Sequence, residues 1–168
     1  MVALIAGHAD ELRVNDDAEP DSDFVFDVLT FMREYADQCH HGKEEDILFA
    51  ALEDREISAE HQEIMAQLTE DHERGRELVG ALDDATSRWE DGDEDARGEV
   101  LEALEGIADL YPYHIATEDD DFFIPIMNYF SDAEKEGMME DMWDFDHQLF
   151  TEMYESCILQ WEEPDRED

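Results

Sequence analysis

Apolar positions recur along this chain at helical spacing and in separate blocks. Phe24, Val28, Phe31 and Tyr35 fall at i, i+4, i+7 and i+11, one stripe of an α-helix. The stripe predicts a long helix from Phe24 to about Glu53, ended by "EDREIS". Before it, Met1 to about Arg13 makes a short amphipathic piece, and "NDDAEPDSD" reads as a turn-rich linker. Ser58 suits the N-cap of a third helix reaching about Trp89. "EDGDEDARG" is the next turn, and a fourth helix runs from about Ala96 to Asn128 with Pro112 inside it. Ser131-Asp-Ala-Glu134 has the spacing of a capping box and opens a fifth helix to about Trp161. Alternating β-branched runs and Asn-Gly hairpins are absent, so nothing reads as strand. Long helices joined by short turns predict one all-α domain over residues 1–168. Its expected form is an up-down four-helix bundle with a short first helix and an extra C-terminal helix.

Charge changes the picture next. Fifty-one Asp and Glu stand against 10 Lys and Arg, a formal charge of −41, and only Lys43 and Lys135 are lysines. Hydrophobic residues still make up 42%, enough for a core, so this is not a disordered acidic tail. A field of that sign repels nucleic acid and anionic membrane surfaces. It also strains a compact fold through self-repulsion unless salt screens it, with a Debye length of about 3 Å at 1 M. An acid-rich, lysine-poor surface therefore suggests a halophile's salty cytoplasm. Cys39 and Cys157 make no disulfide framework. No apolar run approaches the roughly 18 residues of a membrane span. "MVALIAGHADEL" has neither a basic start nor a small-residue cleavage site. The expectation is a soluble protein of a reducing cytoplasm.

The candidate chemistry lies in a repeated unit, His-x-x-x-Glu. It occurs as His41–Glu45 and again as His114–Glu118, each pair four apart on one helix face. His72 is a third candidate imidazole, with Arg76 at its i+4 place. In an antiparallel bundle, groups equally far from the intervening turn share a level. His72 and His114 match to about 3 Å, and Glu45 and His72 to about 8 Å, at roughly 1.5 Å per residue. One such pair arises readily in so acidic a chain; two with a level His72 do not. Apolar residues follow both pairs: Ile47, Leu48 and Phe49, then Phe122 and Phe123. Buried acids and imidazoles need partners, and a metal suits several at once. His40 and Glu44 show the same spacing, about 100° around the helix from His41. The pair His41–Glu45 is preferred because residues 48, 49 and 52 continue its face. Cys39 reads as a small packed residue, and His8, His61 and His147 as surface or rim residues. Pro112 removes a helical hydrogen bond one turn before His114.

"YADQCHHGKEEDILF", "LTEDHERGRELV" and "YPYHIATEDDDFFIPIMNYFS", in that order, resemble the hemerythrin-like HHE cation-binding family, and the similarity covers nearly the whole chain. The resemblance implies a four-helix bundle around a non-haem di-iron centre. Carried over by position, His41, His72 and His114 would be terminal ligands, and Glu45 and Glu118 would bridge. Family members begin with a further histidine in the first half of helix one. Here "MVALIAGHADEL" resembles the later half, so either the recorded start falls too late or the centre is short of one ligand, with His8 about 20 Å too far along to replace it. Arg76 stands where oxygen-carrying hemerythrins place a histidine, which points away from the carrier subtype.

The expected function is binding of O2 or a related small oxidant, for sensing or for iron and oxygen handling. No separate nucleophile or acid–base pair suggests substrate turnover, which favours a binding protein over an enzyme. Two alternatives stay open. One is a degenerate mononuclear or zinc site. The other is a metal-free helical scaffold for a protein partner, with homodimerisation through the seam left beside the short first helix.

Overall fold

The computed structural model describes residues 1–162, and five helices account for nearly all of them, with no strand among the described residues. Helix α1 is Val2–Val14. Helix α2 occupies residues 22–53 without a break. It starts where the Asp21 carboxylate accepts the Phe24 N–H at 3.1 Å, the N-cap device of an otherwise open helix end. Helix α3 is Ala59–Glu90, capped as expected by Ser58, whose hydroxyl accepts the His61 N–H. Gly92 then turns the chain at φ +92°, a conformation glycine adopts without steric cost. Helix α4 begins as Ala96–Ala116 and continues to Phe123–Ile126 before a short 3₁₀ turn, Met127–Tyr129. Helix α5 is Asp132–Glu162. Its predicted capping box is present: Glu134 accepts the Ser131 N–H at 2.7 Å, and the Glu134 N–H points back to the Ser131 hydroxyl.

Two helices are not α throughout. In α2 the stretches Phe31–His41 and Glu44–Phe49 are wound as π-helix, and in α4 so is Thr117–Phe122. A π-helix bonds i to i+5 instead of i to i+4, so each residue turns less about the axis. All three stretches lie where the candidate ligands are.

Helices α3 and α4 pack antiparallel. Arg88 meets Glu99, Leu78 fits against Gly106, and Gly75 lies under Tyr111, in falling and rising order along the two chains. Helix α1 lies along α4, tied by Arg13 to Glu105 at 2.6 Å. Arg97 completes that packing: it donates to the carbonyl of Leu12, in the last turn of α1, and to those of Asn15 and Ala18 in the turn that follows. Helix α5 sits on α2, where the Phe145 ring covers Gly42 and Lys43 pairs with Asp146 at 2.8 Å. Cys39 is a buried free thiol in the same contact, as its packed reading expected; the side chain of Cys157 lies outside the described residues. No helix among the described residues is long and apolar enough to cross a membrane.

The hydrophobic core comes in two parts. One gathers Ile5, Leu12, Val28, Leu82, Leu104 and Ile107 at one end of the helices. The other gathers Leu48, Leu52, Leu68, Phe122, Ile126 and Phe130 at the other end. Burying each such side chain contributes about 1.5–3 kcal/mol. Between them lies a layer that contributes nothing of the kind. On α2 it falls between Ala36 and Leu48, on α3 between Leu68 and Leu78, and on α4 between Tyr111 and Phe122. The residues of that layer are histidines and glutamates.

Candidate metal centre

His41, His72 and His114 meet in this layer, one each from α2, α3 and α4. One ring nitrogen of each lies within 4.8 Å of the others, and all three residues are buried. The His41 and His72 rings stack at 3.9 Å between centroids, and His114 stands edge-on to both at 5.7 and 5.1 Å. Beside them His40, Glu44 and Glu118 form a second group with donors equally close together. Glu44 and Glu118 are buried while His40 is partly open to solvent. Phe49 stacks near His72 at 6.0 Å and meets Phe122 edge-to-face at 5.7 Å, so the floor of the layer is aromatic.

The hydrogen-bond accounting is lopsided. His72 Nδ1 lies 2.7 Å from Glu45 Oε1, and His41 Nδ1 lies 3.3 Å from Asp37 Oδ1. A carboxylate only accepts, so these contacts put the ring proton on Nδ1. That leaves His72 Nε2 as a bare lone pair, and 3.3 Å from it stands Glu44 Oε2. Two acceptors face each other in a buried space. His114 Nε2 is 3.0 Å from Glu118 Oε1 without hydrogen-bonding alignment, and its Nδ1 is 3.5 Å from Asp71 Oδ2. Both oxygens of Glu44, Oε1 of Glu118, Nε2 of His72 and both ring nitrogens of His114 are buried without a hydrogen-bond partner. An unpartnered buried polar atom costs about 1–3 kcal/mol. A cation among them would satisfy Glu44, Glu118, His72 Nε2 and the one ring nitrogen of His114 that faces them, and the donor set passes that test: imidazole and carboxylate suit zinc and iron.

The electrostatics divide the imidazoles: burial works against charge on His114 but Glu118 outweighs it, and Glu118 raises His40 as well. Burial, then the neighbouring His72 and His114, pushes His41 down to about 3, so its ring is neutral and free to donate a lone pair. Burial raises Glu44. Burial would raise Glu118 too, but the imidazoles of His114 and His40 outweigh it and hold it at about 2. Two glutamates in one pocket are thus driven in opposite directions, as like charges sharing a site require.

The sequence expectation for the first pair shifts by one residue. Glu45 was expected in the core; it lies at the rim, partly exposed, held by His72 Nδ1 and by Arg76 at 2.8 Å. Glu44 takes the buried position instead, and His40 joins it at 3.3 Å. The cause is the π winding. With about 100° per residue His40 and His41 could not both face inward. The slower rotation of the π stretch brings both to the centre and turns residue 45 outward. The doubled His-His and Glu-Glu in "CHHGKEED" was the available signal. His8 is remote from the centre: it accepts the Asp21 N–H at 3.3 Å and packs on Phe24. His61 bonds the Tyr129 hydroxyl, and His147 is exposed.

A cavity of about 320 Å³ leads from solvent to His40, His41, His114 and Glu118, and its walls include the apolar Phe31, Met32, Ile115 and Phe123. Met1 and Val2, at the start of α1, also line it.

Residues 4–126, nearly three-quarters of the chain, match the sequence model of the Hemerythrin HHE cation binding domain. The chain belongs to this family. No curated protein and no solved structure matches it. As a hemerythrin HHE domain it binds metal, and among the described residues the two side-chain groups above could hold an ion. Membership and geometry thus converge on the polar layer that splits the core.

Proposed function

We propose that this hemerythrin HHE protein holds a non-haem di-iron centre that binds O2 or a related small oxidant. The observation that carries the reading is the set of buried, unpartnered donors converging from three helices, with a bare imidazole nitrogen facing a carboxylate oxygen. His41, His72 and His114 would supply imidazoles, as expected from their order in the chain. Glu118 would be one carboxylate ligand, as the resemblance implied. Glu44 would be the other in place of Glu45, and His40 would add a fourth imidazole. Bound iron supplies the redox chemistry. The chain's own part is to present imidazole nitrogens and carboxylate oxygens to one point, and to keep water scarce there with Phe49 and Phe122. The apolar cavity favours a small uncharged ligand over an ionic one. We also propose an up-down order for the helices around the centre, supported by the antiparallel α3 and α4, and a salt-rich cytoplasm as the setting, supported by the charge of −41.

A second reading has its own support. The three-histidine group alone fits a single zinc-type ion with one open position. Metal counting separates the two. The protein is purified in high salt without oxygen, loaded with Fe(II), freed of excess, and scanned before and after air. About two irons per chain and a new visible band on aeration are expected. One iron or none, with no band, would sink the di-iron reading.

A further inference from the structure

Arg76 lies outside both donor groups, yet it touches the supports of two of the three histidines. Its Nε donates to Asp37 Oδ1 at 2.8 Å, and its Nη2 donates to Glu45 Oε1 at 2.8 Å. Those same two oxygens face the outer nitrogens of the centre: Asp37 Oδ1 lies 3.3 Å from His41 Nδ1, and Glu45 Oε1 lies 2.7 Å from His72 Nδ1. One guanidinium therefore closes a chain that runs His41, Asp37, Arg76, Glu45, His72. Its two ends are the rings that stack at 3.9 Å. The chain joins α2 to α3 across the centre. His114 has a separate support: Asp71, held by Gln67 at 2.8 Å, stands at its Nδ1.

We propose that Arg76 is the positioning residue of this centre. Through Asp37 and Glu45 it fixes the Nδ1–H tautomer of His41 and His72, so that both rings turn Nε2 to one point. It also holds Glu45 out of the donor set. Both functions need the planar fork of arginine, which spans two carboxylates at once; a lysine ammonium is a single point charge. Outer carboxylates of this kind set which nitrogen a ligating histidine offers, and losing one typically weakens metal binding about 10–100-fold. Without Arg76, Glu45 would be free to swing toward the buried carboxylates, and the two rings would lose their common orientation. The inference rests on the proposed metal centre for its purpose, but not for its geometry.

The test therefore starts with metal-free protein. Imidazole nitrogens labelled with ¹⁵N report tautomers directly by NMR. Wild type should show His41 and His72 as Nδ1–H. Arg76→Gln should give mixed tautomers at His41 and His72 and leave His114 alone. Arg76→Lys should restore at most one of the two rings. In a Co(II) titration, Arg76→Gln should bind about 10–100-fold more weakly than wild type. A folded Arg76→Gln protein with His41 and His72 still uniformly Nδ1–H overturns the proposal. If that variant fails to fold, Asp37→Ala and Glu45→Ala decide. Each should disturb only its own ring, His41 or His72, and an undisturbed ring overturns the proposal. Wild type that shows the expected tautomers but binds no Co(II) would instead overturn the metal reading and leave the role of Arg76 standing.

Discussion

At His41, burial and two neighbouring imidazoles act in the same direction. The ring stays neutral to about pH 3, while an unfolded chain would protonate it near its ordinary 6.5. Between those limits the unfolded state binds the extra proton. Stability from this group is therefore intact above about 6.5 and drains away as pH falls toward 3, at about 1.4 kcal/mol per pH unit. Urea unfolding of the metal-free protein in high salt, at pH 7 and at pH 5, should show this loss. His41→Gln should flatten the dependence; equal slopes for variant and wild type would refute it. The same neutrality serves binding, because a metal competes only with protons that the ring does not hold.

At the scale of the helix, two glycines of α3 should respond oppositely to one methyl group. A Cβ at Gly75 would lie 2.7 Å from the Tyr111 hydroxyl, while one at Gly80 meets nothing within 4 Å. Gly80→Ala should stabilise by about 0.5–1 kcal/mol through helix propensity. Gly75→Ala should destabilise by about 1–3 kcal/mol through overpacking. Tyr111→Phe should recover much of that loss, since the next ring atom is already at an ordinary 3.5 Å. Thermal unfolding of the three variants checks the set, and a stabilised Gly75→Ala would contradict this packing. The helices themselves were readable in advance. Ser58, Gly92 and the Ser131–Glu134 box carry short-range chemistry that acts within a few residues, so the ends fell where the sequence put them. The three histidines were readable because their spacing sets their level. The choice between Glu44 and Glu45 was not, because counting faces assumes α winding and nothing local marks a π stretch. The rim network of Asp37, Glu45 and Arg76 was hidden for the same reason.

Across the whole molecule two salt effects compete. Screening weakens exposed pairs such as Arg13–Glu105 and Arg88–Glu99. It also relieves the mutual repulsion of a chain carrying −41, which has far more like-charged pairs than opposite ones. Repulsion should win. The thermal midpoint is expected to climb between 0.1 and 2 M KCl, steeply at first as the Debye length drops below about 10 Å. A flat or falling midpoint would mean that the surface is not built for salt.

The π winding has a consequence for heredity as well as for shape. A turn that closes over five residues holds one more residue than an α turn needs. Deleting a single residue between Phe31 and His41 would let α2 relax to ordinary winding with every hydrogen bond intact. The rest of the helix would keep its phase, but His40 and His41 would take the α spacing of about 100°, at which only one of them faces inward. The helix would survive and the centre would be dismantled. What specifies this site, then, is the number of residues as much as their kinds. A lineage can lose it through one missing codon while every histidine and glutamate is retained.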